Sequence, residues 1–324
     1  MELFTPVAYA EALAKDIENA KHRVIVFSHI IGNDASTQKL ITALCKAAKR
    51  DVHVEVSSDI FTYGVMGGWR NTPLSPNKRI HALSAMAKRF RDSGVKFDWI
   101  GQLGPILFAG RMHIKWCVVD EKVYCFGGVN LYDDGLKYAD YMFGSRDVEL
   151  GNQITKEHER IVSASRLGMV HRSYQFASLH GTVLVDGGKL GDSIIYKRAC
   201  ELARQATDIT FVSQYCPTGK LGKIMKAKGA NLYFSPPNLG HGFNRFLIRV
   251  TMATTGYKTL YRRRKYIHAK CIIYTMPDGH KVALTGTHNF VRAGVALGTR
   301  EIELETADLN VISQLEAFLQ THIF

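Results

Sequence analysis

A chain of 324 residues that is 46% hydrophobic can bury a large core, and its length suits about two domains or two halves of one. The formal charge of +13 points to a polyanionic partner: nucleic acid, an anionic membrane surface or a phosphorylated substrate. No uncharged apolar run reaches the roughly 18 residues of a membrane span, and the N-terminal segment meets Glu2, Glu11 and Lys15 too early for a secretory leader.

The chain is therefore expected to be cytoplasmic or peripheral. Its six cysteines, Cys45, Cys117, Cys125, Cys200, Cys216 and Cys271, form no C-x-x-C pair and read as buried reduced thiols.

In chain order, "TPVAYAEALAKDIENAKHRVIVFSHI" (residues 5–30) predicts an amphipathic helix followed by a β-branched strand. "TQKLITALCKAAKRD" and "VHVEVSSD" add a second helix and strand. The segment from Asp59 to Arg79 is a long loop with Phe61, Tyr63, Val65, Met66 and Trp69 among glycines, suited to an anionic bilayer surface or to covering the protein's own core. "HIKWCVVDEKVYCFGG" predicts a strand pair, and "SRDVEL" an acidic strand. Residues 165–190 are expected to form a packed linker.

The second half repeats this order. "GDSIIYKRACELARQATDITFVSQYC" is helix then strand, "LGKIMKAKG" and "ANLYFSP" follow, "HAKCIIYTMPDGHKVALTG" is a strand pair turning at Asp278-Gly279, and "TREIEL" is the second acidic strand. Between them, residues 242–266 mix Phe243, Phe246, Leu247 and Ile248 with Arg245, Arg249 and the run Arg262 to Lys265. That mixture fits collection of anionic headgroups or nucleic acid backbone, or a merely solvated face. Helices alternating with strands predict an α/β protein with two pseudo-symmetric halves, residues 1–165 and 166–324, each with a mixed, largely parallel sheet.

On a strand, residues two apart share a face, so His113 would project with Lys115 and His268 with Lys270. A lysine in an apolar strand calls for an anion. If the halves pack about a pseudo-twofold axis, two histidines, two lysines, Asn130 and Asn289 surround one cavity suited to a phosphodiester. One neutral imidazole attacks phosphorus, the other protonates the leaving oxygen, and lysines and amides stabilise the transition state without a metal or cofactor. Each histidine needs an acceptor on its other ring nitrogen. Asp147 and Glu301, at matched places after the strand pairs, are the candidates, with Glu149 and Glu303 as alternatives.

"HIKWCVVDEKVYCFGGVN" resembles the H-x-K-x4-D-x6-G-G-x-N motif of the phospholipase D superfamily, and "HAKCIIYT…TGTHN" is similar to its second copy. The resemblance implies a bilobal fold with one site between the halves and a phosphohistidine intermediate. Carried over residue by residue, it implies half-sites of His113, Lys115, Asp120 and Asn130, and of His268, Lys270 and Asn289. Thr275 stands where the second aspartate belongs and Thr287 replaces the second glycine. The intact first motif favours His113 as nucleophile. The leading expectation is a phosphatidyltransferase or phospholipase D of cardiolipin synthase type, peripheral at the inner face of the membrane, with a phospholipid substrate and no obligate protein partner. A metal-independent nuclease or phosphodiesterase acting on nucleic acid is the alternative, and a silent binding module the third reading.

Overall fold

The structure, a computed structural model, describes residues 1–62, 78–101 and 110–324. Tyr63, Val65, Met66 and Trp69 of the expected membrane loop lie outside the described residues. No helix among the described residues is long and apolar enough to cross a membrane.

Two seven-stranded sheets carry the two halves. The first contains β1 (Glu2–Phe4), β2 (Arg23–Ser28), β3 (His53–Asp59), β4 (Lys96–Ile100), β5 (Trp116–Val119), β6 (Lys122–Cys125) and β7 (Met142–Arg146), in the order β1-β7-β6-β5-β2-β3-β4. The second contains β8 (Tyr174–Ser178), β9 (Gly181–Gly187), β10 (Asp208–Ser213), β11 (Asn231–Phe234), β12 (Cys271–Thr275), β13 (Lys281–Gly286) and β14 (Arg300–Thr306), in the order β11-β10-β12-β13-β14-β9-β8.

Both sheets are mixed, but the expectation of largely parallel pairing fails. Among the described strands, only β2 with β3, β3 with β4 and β10 with β11 run parallel. The hairpins carrying the motifs, and the strands that follow them, turn the rest of each sheet antiparallel. The expected linker is also corrected: most of residues 174–187 form β8 and β9, antiparallel strands at the edge of the second sheet.

The helices α1 (Pro6–Asn19), α2 (Gln38–Ala48) and α3 (Lys78–Asp92) cover one face of the first sheet. The second sheet is covered likewise by α5 (Ile194–Gln205) and α6 (Gly219–Ala227). Between the sheets lie α4 (Val148–Arg166) and α9 (Leu309–His322). One apolar cluster there joins Phe27, Trp116 and Ile161 of the first half to Val212, Ile302 and Phe318 of the second, so the halves share a core. Polar ties cross it as well. The buried Tyr141 hydroxyl donates to the Lys270 carbonyl at 3.1 Å, and Thr285 Oγ1 donates to the Phe126 carbonyl at 3.0 Å. All six cysteines are buried and unpaired.

"SRDVEL" is not a strand. β7 stops at Arg146, and Asp147 is the N-cap of α4, its side chain accepting from the Leu150 amide at 3.0 Å. An aspartate three residues ahead of an amide that has no intrahelical partner is a helix start, and that local preference prevails. Its counterpart in sequence, "TREIEL", is strand β14.

Candidate active site

The H-x-K segments lie just ahead of β5 and β12 rather than within them. Each is held by the opposite half. Met112 bridges to Arg300, and Ile267 to Ala139. His113 N donates to the Arg300 carbonyl and His268 N to the Ala139 carbonyl, both at 3.0 Å. The residues next in sequence, Glu301 and Asp140, turn their carboxylates onto those same histidines. Glu301 Oε2 lies 2.9 Å from His113 Nδ1, and Asp140 Oδ2 lies 2.7 Å from His268 Nδ1.

The equivalence of the two carboxylates is fixed by backbone register. Gly128 N donates to the Tyr141 carbonyl and Thr287 N to the Ile302 carbonyl, each acceptor immediately following the acid. Thus Asp140 matches Glu301, and Asp147 does not. Asp147 belongs to the helix cap, and Glu149 is an exposed residue of the first turn of α4 bonded to Gln153. Glu303 is fully buried, but its carboxylate accepts from the His288 amide at 2.7 Å and not from a motif histidine. Asp140 was legible by another measure: it stands 10 residues after Asn130, as Glu301 stands 12 after Asn289, whereas Asp147 stands 17 after.

The glycine pair explains why the acids come so close. A Cβ on Gly127 would lie 2.0 Å from the Tyr141 carbonyl oxygen, and one on Gly128 would lie 2.7 Å from both Asp140 carboxylate oxygens and from the His268 carbonyl. At the matching place Thr287 is accommodated because its hydroxyl donates to Glu301 Oε2 at 2.6 Å. The departure from the second motif therefore supplies an additional tie to the carboxylate.

Lys115 and Lys270 are both buried beside their histidines. Lys115 Nζ donates to the His113 carbonyl at 2.6 Å, and Lys270 Nζ donates to the His268 carbonyl. Burial, followed by the charge of the other lysine, pulls Lys115 down to about 7. Burial pulls Lys270 down to about 8, against the pull of Asp140 and Glu301. Burial and the lysines hold His113 well below the usual histidine range and His268 at about 4. Both imidazoles are thus neutral near pH 7, each with Nδ1–H directed at a carboxylate and Nε2 left with its lone pair. Burial also raises Glu301 to about 7.

Asn130 is buried, and its Oδ1 accepts from the Ile30 amide at 3.2 Å. That leaves its NH2 group without a partner among the described residues. Asn289 is half-buried, its carbonyl accepting from Ser213 Oγ at 3.2 Å.

Asp120 does not join the cluster. It sits in the β5–β6 turn with φ 51°, and its carboxylate accepts from the amides of Lys21, His22 and Arg23 at 2.9 to 3.0 Å. It lies five positions beyond Lys115, roughly 16 Å along the strand. At the second site the Thr275 carbonyl, held by the Thr207 amide at 2.8 Å and the Thr207 hydroxyl at 3.1 Å, ties the hairpin to the start of β10. The missing second aspartate therefore alters a surface turn and leaves the histidines untouched.

The site also holds residues that the motif does not contain. Asp59 accepts from the Met112 amide at 2.7 Å and pairs with the buried Arg111, while burial raises it to about 6. Ser235 accepts from the Ile267 amide at 2.8 Å at the matching place. Tyr138 lies with its ring centroid 5.6 Å from that of His268 and 5.1 Å from that of Tyr266. Near His113 stands His29, at 4.9 Å between centroids. No spacing in the sequence links these residues to the histidines, because loops from separate strands bring them in.

Two neutral imidazoles oriented by carboxylates, two buried lysines and a free amide form a cluster suited to a tetrahedral anion. Residues 13–162 match the family model of the cardiolipin synthase, PLD-like domain. The cardiolipin synthase of Geobacillus sp. (strain WCH70) is 26% identical over 140 residues, 42% of this chain and 25% of that protein, so the match reaches a quarter of that relative's length. The crystal structure of phosphatidylserine synthase from Haemophilus influenzae Rd KW20 superposes with a TM-score of 0.74 at 13% identity, covering 100% of this chain and 86% of that one. Polyphosphate kinase from Porphyromonas gingivalis gives 0.62 at 10% identity, over 98% of this chain and 49% of that one. At these identities the two structures establish likeness of fold.

Proposed function

We propose that this chain is a member of the phospholipase D superfamily and a phosphatidyltransferase of cardiolipin synthase type, with phospholipid hydrolysis as the accompanying outcome; the match of residues 13–162 to the cardiolipin synthase, PLD-like domain supports the reading. The observation that carries the reading is the reciprocal exchange of carboxylates, Glu301 to His113 and Asp140 to His268, around Lys115 and Lys270. One imidazole Nε2 attacks phosphorus while the other imidazole, protonated once the anionic substrate is bound, donates to the departing alcohol oxygen. A phosphohistidine results. A second alcohol then attacks phosphorus, its proton passes to the unphosphorylated imidazole, and the N–P bond breaks. The lysines and the Asn130 amide balance the charge on the nonbridging oxygens.

Lipid rather than nucleic acid is favoured by α7 (Gly242–Thr255). This helix buries only Ile248 fully and turns Phe246 and Val250 to solvent, with Arg249 exposed at the edge of that face. An outward apolar row edged by arginine suits a peripheral contact with an anionic bilayer. The helix lies beside the site, because Asn244 accepts from the Tyr215 hydroxyl at 2.7 Å and Gln214 links Tyr215 to Tyr266.

The test is incubation of the protein and its His113→Ala and His268→Ala variants with phosphatidylglycerol liposomes and a chelator, with products identified by mass spectrometry. Cardiolipin or phosphatidic acid formed by the parent alone supports the reading. Intact lipid together with cleavage of DNA or RNA under the same conditions would replace it with the nuclease alternative, for which the exposed run Arg262 to Lys265 would supply the backbone contacts.

A further inference from the structure

The two half-sites are alike in their histidines, lysines and carboxylates, and unlike at the residue that follows the central strand. β2 and β10 both end in a buried serine, Ser28 and Ser213. The next residue is His29 in the first half and Gln214 in the second. Gln214 is spent on tyrosines, its amide donating to the hydroxyls of Tyr215 at 2.8 Å and Tyr266 at 2.9 Å.

His29 is bonded differently. Its Nδ1 lies 2.6 Å from the Met112 carbonyl oxygen, and a carbonyl only accepts, so Nδ1 carries the proton. Nε2 is then a lone-pair acceptor with no hydrogen-bond partner among the described residues. The ring is 8% exposed, meets His113 edge to face at 4.9 Å and stacks on Phe61 at 6.0 Å. Burial and then the neighbouring His113 and Lys115 push its pKa well below the histidine range, which keeps the acceptor form. Nε2 is a third lone-pair nitrogen beside those of His113 and His268, and the one that the proposed reaction at phosphorus does not use. It suits a hydroxyl that does not belong to the phosphate.

We propose that His29 Nε2 accepts a hydrogen bond from a non-reacting hydroxyl of the alcohol substrate, so that the site selects polyhydroxy alcohols such as glycerol and glycerol-headed lipids over simple alcohols. The inference rests on the phosphatidyltransferase reading and deepens it. It also breaks the symmetry of the two histidines. In an in-line displacement the alcohol oxygen stands opposite the attacking imidazole. An alcohol anchored at His29 stands beside His113, which is then the imidazole that gives up and recovers the alcohol proton. The phosphorus is therefore bonded to His268 Nε2 in the intermediate, in place of His113, which the intact motif favoured. In the second step the alcohol O–P bond forms, the His268 N–P bond breaks, and the alcohol proton moves to His113.

The test compares the parent with His29→Phe, which removes the acceptor, and His29→Gln, which returns an acceptor and repeats the residue of the other half. Transfer from phosphatidylcholine to glycerol and to ethanol is followed separately. Loss of one hydrogen bond to a hydroxyl predicts a KM for glycerol raised about tenfold in His29→Phe relative to any change in the KM for ethanol, so that the glycerol-over-ethanol ratio of kcat/KM falls about tenfold. His29→Gln should recover most of the glycerol KM. The parent is also quenched in alkali during turnover and mapped by mass spectrometry, with phosphate expected on His268. An unchanged glycerol-over-ethanol ratio of kcat/KM in His29→Phe, or phosphate on His113, would overturn this inference alone. Absence of any transfer or hydrolysis by the parent would overturn the functional reading with it.

Discussion

Asp140 Oδ2 lies 2.7 Å from His268 Nδ1, across 128 residues of chain and across the boundary between the halves. Neither half can orient its own motif histidine. Each imidazole takes its tautomer from an acid of the other half, so the cluster is complete only when the two sheets are packed together.

Replacing that acid by its amide should disable the site without unfolding the protein. Asp140→Asn is expected to lower kcat by about 10² to 10⁴, because an amide can present an N–H to Nδ1 and stabilise the wrong tautomer. Asp147→Asn, at the position matched to Glu301 by sequence alone, should leave kcat within about twofold. Steady-state rates with normalised active protein separate the two, and equal losses at both positions would refute the exchange of carboxylates.

Binding of a phosphodiester should weaken as pH rises through 7 to 8. Lysine is charged below its pKa, and burial brings Lys115 to about 7 and Lys270 to about 8, so both charges disappear over that interval. Calorimetric titration with dimethyl phosphate should show affinity falling about tenfold or more between pH 6 and pH 9, with net proton uptake on binding near pH 8. An affinity flat across this range would contradict the arrangement of buried cations.

The buried lysine should also cost stability. The Lys115 pKa is depressed in the folded protein, so the unfolded chain binds the proton more tightly, and folding is penalised at every pH below the ordinary lysine value of 10.5, most fully below about 7. Lys115→Met is therefore expected to raise Tm by a few degrees at pH 6 and by progressively less toward pH 10, while abolishing activity. Thermal melts across that pH range check the sign; a lower Tm at pH 6 would show that the ammonium is a net stabiliser.

Asp120 should behave as a structural residue. Asp120→Ala removes the acceptor for three backbone amides at the entry to β2 and should cost about 1 to 3 kcal/mol of unfolding free energy. Activity per folded molecule should stay within about twofold. Urea denaturation and initial rates on the same preparations distinguish this from a direct chemical role, in which the rate would fall and the stability would not.

The amino-acid sequence by itself determined the duplication, the pairing of each histidine with a lysine, and the chemistry a twofold repeat of such pairs implies. These are local matters: two residues apart on extended chain share a side, glycine permits a close approach, and a lysine amid apolar residues announces an anion. Tertiary packing decided which acid meets which histidine. Asp147 and Glu301 look equivalent on paper, but an N-capping aspartate answers first to the free amides of its own helix, and the equivalent acid is Asp140, seven residues earlier and marked in the sequence by its distance from Asn130 alone. The same holds for His29 and for the antiparallel majority of the strands. Contacts between residues far apart in sequence are set by how two sheets, built on a shared apolar core, come to rest against each other.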